Sequence, residues 1–218
     1  MKEEIRSQRD YWNQEANSFQ KIYSHQKSAI ANWMDRVFRK DMYDRFTFTI
    51  QNCEPISGRT FLDIGCGSGL YSIELAKKGA SSVVGIDIAE NMLNLCRESA
   101  EREAVANRCT FLQADLLQYS SGSSFDVCFG IGLFDYIHDP LPVLKKMRQV
   151  AREKVILSFP RLWTWRAPLR KIRLTLRGCD VYFYTRNKVT YVLREAGFEK
   201  IEIFQVGKLY CVVASVQK

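Results

Sequence analysis

The chain has 218 residues, 46% of them hydrophobic and 26% charged, with 32 Lys and Arg against 24 Asp and Glu, for a net charge of +8. That balance describes a globular chain able to bury its own core, and excludes disordered, collagen-like and low-complexity classes. The longest unbroken apolar stretch, Val127–Phe134, falls well short of the roughly twenty residues a membrane helix needs, and the charged start MKEEIRSQRD carries no apolar signal region, so a single cytoplasmic domain is expected.

The first fifty residues read as helical. Tyr11, Trp12 and Phe19 stand in a polar setting, and Ile30, Trp33, Met34, Val37 and Phe38 recur at three- and four-residue spacing, one buried helix face. Pro55 and Gly58 then break the pattern. Strand and helix alternate from there: strand 60–64, helix 70–78 ended by Gly79, strand 82–86, helix 90–102, strands 109–114 and 125–131, helix 141–150 and strand 154–159. A basic stretch interrupts the rhythm. It is followed by helix 187–196 and by strands 200–205 and 209–216, which the three residues Val206-Gly207-Lys208 join as an antiparallel hairpin. Repeated strand–helix units imply an α/β fold, a parallel sheet covered on both faces. The expected layout is one domain over 1–218, with an N-terminal helical cap over 1–54 and a lid inserted over 160–186.

Charge and cysteine usage narrow the setting. Arg161, Arg166, Arg170, Lys171, Arg173 and Arg177 fall in one stretch without an acid, so most of the excess charge is local. Such a patch suits nucleic acid, an anionic membrane, an anionic small molecule or plain solvation. Pro168 fits the first position of a helix reaching Arg177, with Leu169, Ile172 and Leu176 on one side. Seven cysteines, odd in number and without a C-x-x-C pair, signal neither zinc nor a dithiol, and fit a reducing compartment.

The strongest local signal is Leu62-Asp63-Ile64-Gly65-Cys66-Gly67-Ser68-Gly69. A strand enters it and a helix leaves, and alternate glycines let the backbone turn tightly and approach a ligand. Asp87, twenty residues after Gly67 at the end of the second strand, is placed to accept the hydroxyls of a ribose. The glycines run G-x-G-x-G rather than G-x-G-x-x-G, no P-loop lysine follows, and Asp63 would repel a pyrophosphate. An acid there suits a ligand carrying an amine and a sulfonium.

On these residues the chain resembles the class I S-adenosylmethionine-dependent methyltransferases. Leu62–Gly69 resembles their first motif and Val84-Gly85-Ile86-Asp87 their acidic second strand. Gln113-Ala114-Asp115-Leu116 resembles the segment that meets adenine, and Phe125-Asp126-Val127 through Ile137 the fourth strand and the loop beside the methyl. The resemblance implies a Rossmann-like, doubly wound seven-stranded sheet with an antiparallel last strand. It also implies S-adenosylmethionine as cofactor, held by Tyr11, Trp12, Asp63, Gly65, Cys66, Gly67, Gly69, Asp87, Ile88, Met92, Asp115, Leu116, Gly130 and Ile131. Tyr11-Trp12-Asn13, Ser158-Phe159-Pro160 and Tyr182-Phe183-Tyr184 are similar to the magnesium-protoporphyrin and ubiquinone-pathway O-methyltransferases, which implies a small planar or anionic acceptor.

Methyl transfer from a sulfonium needs alignment and exclusion of water, and a base only where the acceptor must lose a proton. His138, in Phe134-Asp135-Tyr136-Ile137-His138-Asp139-Pro140, is the candidate base or else a cap of the next helix, with Asp135 or Asp139 to orient it. Tyr11 and Trp12 either close over the cofactor or pack the first helix. Trp163, Trp165, Arg166, Arg170 and Tyr184 are the expected acceptor contacts in the lid. No metal is expected. Nucleic-acid methylation is the alternative; it is disfavoured by Gly130-Ile131-Gly132-Leu133 standing where base-amine methylases carry an N/D-P-P-F/Y stretch.

Overall fold

The computed structural model describes residues 6–15, 42–120, 122, 124–162 and 179–216. Helices α1 (6–15) and α2 (42–52) precede the sheet. After them come β1 (Thr60–Ile64), α3 (Leu70–Lys77), β2 (Ser82–Asp87), α4 (Glu90–Arg102), a 3₁₀ turn (Ala106–Arg108), β3 (Cys109–Gln113) and β4 (Phe125–Gly130). The chain continues through α5 (Pro140–Val150), β5 (Ala151–Pro160), α6 (Arg186–Glu195), β6 (Ile201–Val206) and β7 (Leu209–Ser215). The expected stripe from Ile30 to Phe38 and the helix from Pro168 lie outside the described residues.

Seven strands form one sheet in the order β3-β2-β1-β4-β5-β7-β6. β1 runs parallel to β2 and β4, β2 to β3, and β4 to β5, while β7 is antiparallel to both of its neighbours. The expected hairpin is present, but its last strand is not the edge. β7, Leu-Tyr-Cys-Val-Val-Ala-Ser, is the more apolar and inserts beside β5, leaving the half-exposed Ile-Glu-Ile-Phe-Gln-Val of β6 outermost. A strand flanked on both sides is buried on both, so the more apolar one goes inside.

The two faces of the sheet sort by strand alternation. Phe61, Val127, Phe129 and Ile156 point to the side of α2, α3 and α4, where they pack with Ile50, Leu75 and Leu93. Leu62, Ile64, Cys128, Val155 and Leu157 point to the other, against Leu144 and Met147 of α5 and Val189 and Leu193 of α6. All seven cysteines are free thiols, and six of them are buried as small apolar side chains. Chain direction reverses across the sheet between β1, which leads outward through β2 to β3, and β4, which leads the opposite way. That switch point opens a crevice at the carboxyl ends of the strands.

Close packing fixes the spacing of β2 behind this crevice. A Cβ on Gly85 would stand 2.7 Å from Phe111 Cδ1 and 3.1 Å from Cys66 Sγ. Gly85→Ala is therefore expected to destabilise the protein by about 1–3 kcal/mol through overpacking. The loss should appear as a lower urea midpoint at an unchanged m-value.

Candidate functional site

A cavity of about 600 Å³ occupies the crevice, lined by the loops after β1, β2, β3 and β4 and by residues of α1 and α2. Its floor is the turn from β1 into α3. Gly65, Gly67 and Gly69 all take positive φ, at 68°, 53° and 76°. Side-chain-bearing residues resist that region, so the alternate glycines let the chain leave β1 and begin α3 within five residues. Gly65 N and Cys66 N both donate to Ile86 O, at 2.8 and 3.1 Å, which ties the turn to β2. Gly67 has open space where a Cβ would stand, on the cavity side, whereas Gly69 faces Cys96 and lies outside the lining.

Three acids stand at successive strand ends. Asp63, 2% exposed, shares its strand face with Phe61 and so meets α3, where Ser72 Oγ donates to its Oδ2 at 2.7 Å. Burial, and then the negative charge of Asp87, push its carboxyl up to about 7 against the Ser72 hydrogen bond. Asp87 accepts from Gly67 N through Oδ2 and from Ala89 N through Oδ1, each at 2.9 Å. Burial raises its pKa while these N–H groups oppose the rise. Asp115 accepts from Leu117 N at 3.0 Å. Asp87 and Asp115 thus both close local turns, and all three acids line the cavity together with Ile88, Met92 and Leu116.

The opposite edge is the loop from β4 into α5. Ile131, Asp135, Tyr136, His138 and Asp139 line it. Asp135 is 5% exposed, and its carbonyl accepts from Tyr182 N at 2.8 Å. Asp139, not His138, caps α5, through Leu141 N donating to Oδ1 at 3.1 Å. His138 presents its ring edge-on to Tyr182 at 5.3 Å.

Several expectations change on this geometry. Gly130 sits under Leu133, whose Cδ2 lies 3.0 Å from where a Cβ would be, and does not reach the cavity. Tyr11 stacks edge-on against Trp12 at 5.2 Å, and only Trp12 lines the cavity. Tyr184 is a core residue, 1% exposed, packed on Phe159 with its hydroxyl donating to Ile137 O at 3.3 Å. Tyr184 is thus packed into the core and is not among the residues lining the cavity. Trp163, Trp165, Arg166 and Arg170 lie outside the described residues. The ends of their segment are pinned together, by Leu162 N to Tyr184 O and Tyr184 N to Pro160 O, so the chain leaves and returns beside the end of β5. Arg161 turns away to Gly207 O and the Tyr210 ring.

The sequence reading did not find Gln8, Arg45, Tyr71 or Tyr136. Tyr71, in the first turn after the glycines, was reachable from the motif. Arg45, one cation among many, was not. It is the lone Lys or Arg lining the cavity among the described residues, its Nε is buried with no hydrogen-bond partner, and it bears on the buried Tyr71 hydroxyl. Among the described residues no three His, Cys, Asp or Glu side chains gather as a metal requires, and no helix is long and apolar enough to cross a membrane.

Comparison with known proteins agrees with this architecture. Residues 56–197 match the family model described as a methyltransferase domain. The fold resembles that of magnesium protoporphyrin IX methyltransferase from Synechocystis PCC 6803 with bound SAH, at a TM-score of 0.77 and 23% identity, covering 98% of this chain and 100% of that one. A tRNA U34 carboxymethyltransferase of Haemophilus influenzae is 33% identical over 118 residues, 53% of this chain and 35% of the relative. A ubiquinone biosynthesis O-methyltransferase of Acinetobacter baylyi is 28% identical over 109 residues, 50% and 45% of the two chains. The match thus spans less than half the length of these curated relatives. With a tRNA-modifying enzyme among them, the expectation that nucleic acid is not a partner has no support.

The acids carry a pH signature. An unfolded Asp titrates near 3.9, about three units below folded Asp63, so between roughly pH 4 and 7 the folded chain holds a proton the unfolded one releases. Stability contributed by that proton is present at the acid end of the window and lost as pH rises through 7; Asp87 shifts in the same direction. The ligand-free protein is expected to show a higher urea midpoint at pH 5 than at pH 7.5. Asp63→Asn should flatten the slope; a slope that persists assigns the proton elsewhere.

Proposed function

The chain belongs to the methyltransferase-domain family, and from that premise we propose that it is an enzyme transferring the methyl group of S-adenosylmethionine to a small, aromatic acceptor, with oxygen as the favoured methyl-accepting atom. The observation that carries the reading is the Asp87 carboxylate bonded to Gly67 N at the cavity floor, an acid fixed beside an open glycine at a strand end. The bound cofactor supplies an electrophilic methyl on a sulfonium.

The chain's own groups match that ligand part by part. Asp87 accepts from the ribose hydroxyls, and Asp115 from the adenine amine, whose faces lie among Ile88, Met92 and Leu116. Gly65, Cys66 and Gly67 bring backbone close to the ligand. Asp63 faces the amine and the sulfonium with negative charge, and Arg45 pairs with the carboxylate, satisfying its otherwise unpaired Nε. Trp12, Tyr136 and Ile131 form apolar walls that exclude water, and His138 takes the proton of an acceptor hydroxyl.

A cavity of about 600 Å³ is the size of a small-molecule site. A nucleic-acid substrate would have to present one extruded base. Calorimetry with S-adenosylhomocysteine, followed by a methyl-transfer screen of phenols and aromatic carboxylates against tRNA, tests the reading. Turnover on tRNA alone would replace the small-molecule proposal with the nucleic-acid one.

Two substitutions separate the parts. Losing a charge-assisted hydrogen bond costs about 1.5–3 kcal/mol, so Asp87→Ala is expected to weaken S-adenosylhomocysteine at least tenfold, and Arg45→Gln to weaken it while leaving 5′-methylthioadenosine, which lacks the carboxylate, unaffected. His138→Ala is expected to lower turnover on a hydroxyl acceptor by about 10² to 10⁴ with cofactor affinity retained. Parallel losses of affinity and rate would make His138 structural.

A further inference from the structure

Helix α1 reaches both edges of the cavity, and we infer that Gln8 is a positioning residue that holds the acceptor loop, residues 131–139, in register with the cofactor pocket. The inference rests on the methyl-transfer reading and adds a group that touches none of the reacting atoms. Gln8 Nε2 donates to Tyr136 O at 2.6 Å, joining residues 128 apart in the chain. One turn on, Trp12 lies on the same helix face. It meets the Tyr136 ring edge-on, with centroids 5.2 Å apart and planes at 87°. The same indole packs against Ala89 and Met92, at the start of α4. Asn13 completes the attachment: its Oδ1 accepts from Asn91 N and its carbonyl from Asn91 Nδ2, both at 3.1 Å.

A single ten-residue helix is thus fastened at Tyr136, on the acceptor side, and at Asn91, beside the acid of β2. Tyr136 precedes His138 by two residues, so a donor that fixes the Tyr136 carbonyl fixes the peptide plane leading to that imidazole. Without the Gln8 amide this part-buried carbonyl loses a long-range donor, while the loop keeps its local turn, Tyr136 N to Leu133 O at 3.1 Å, and its other long-range bonds, Gly132 N to Ser158 Oγ and Tyr182 N to Asp135 O at 2.8 Å and the Tyr184 hydroxyl to Ile137 O at 3.3 Å. A ligand that fills the pocket against Met92 bears on Trp12 and, through the one rigid helix, on Tyr136.

The test uses the full chain with Gln8→Leu and Gln8→Glu. It reads S-adenosylhomocysteine affinity by calorimetry, amide hydrogen exchange over 133–139, and the His138 imidazole by NMR, where only two histidines contribute signals. Both variants are expected to bind S-adenosylhomocysteine within about twofold of wild type, to exchange about tenfold faster over 133–139, and to shift the His138 signal. Unchanged exchange in Gln8→Leu overturns the proposal. So does Gln8→Glu behaving as wild type at neutral pH, because an ionised carboxylate cannot donate and the loop's other contacts would then suffice to hold it. A more than tenfold loss of affinity in both variants also overturns it, since α1 would then serve the cofactor pocket as a whole. Failure of the wild type to bind S-adenosylhomocysteine instead sinks the methyl-transfer reading, while exchange in the ligand-free proteins still decides Gln8.

Discussion

The site depends on one carboxylate shared between two loops. Asp87 ends β2 in register with Gln113 of β3, and from there it accepts from Gly67 N in the turn after β1 and from Ala89 N at the entry to α4. Both bonds are charge-assisted and partly withdrawn from water, where such bonds are strong. The preceding carbonyl, Ile86 O, receives two more N–H groups from the same glycine turn. The turn is therefore held in its ligand-ready shape by protein groups alone, and less conformational freedom remains to be lost when a ligand arrives.

Charge at the cavity runs opposite to charge on the chain. The sequence carries +8, yet the described lining holds Asp63, Asp87, Asp115, Asp135 and Asp139 against Arg45 alone. An acidic concavity focuses a negative potential and favours a ligand with positive charge. The basic excess seen in the sequence is concentrated in the stretch after β5 and says nothing of this interior. The raised pKa of Asp63 is the cost of placing one of those acids in the core, and a cationic neighbour in the cavity relieves it.

The reach of α1 joins two edges of a cavity built from separate loops. The loops after β2 and β4 are separated in the sheet by β1, and among the contacts described they meet through Trp12, which touches Met92 on one side and Tyr136 on the other. A helix outside the strand–helix repeat thereby supplies what the repeat does not, a roof spanning the switch point.

The sequence by itself determined the alternation of strands and helices, the glycine turn, and the placing of Asp87 and Asp115 at strand ends. These are local properties: period-two and period-3.6 patterning, and the steric freedom of glycine, act over a few residues. His138 was legible as a residue lining the cavity from its place after a strand, although its neighbour Asp139 took the capping role. Only the tertiary structure decided the rest. β7 went inside β6 because burial on both sides rewards the more apolar strand, and Tyr184 went into the core because α6 and β5 close around it. Gln8 and Arg45 became lining residues because two helices remote in sequence pack over the crevice. No spacing in the chain encodes such contacts, because they arise where elements meet and not within any one of them.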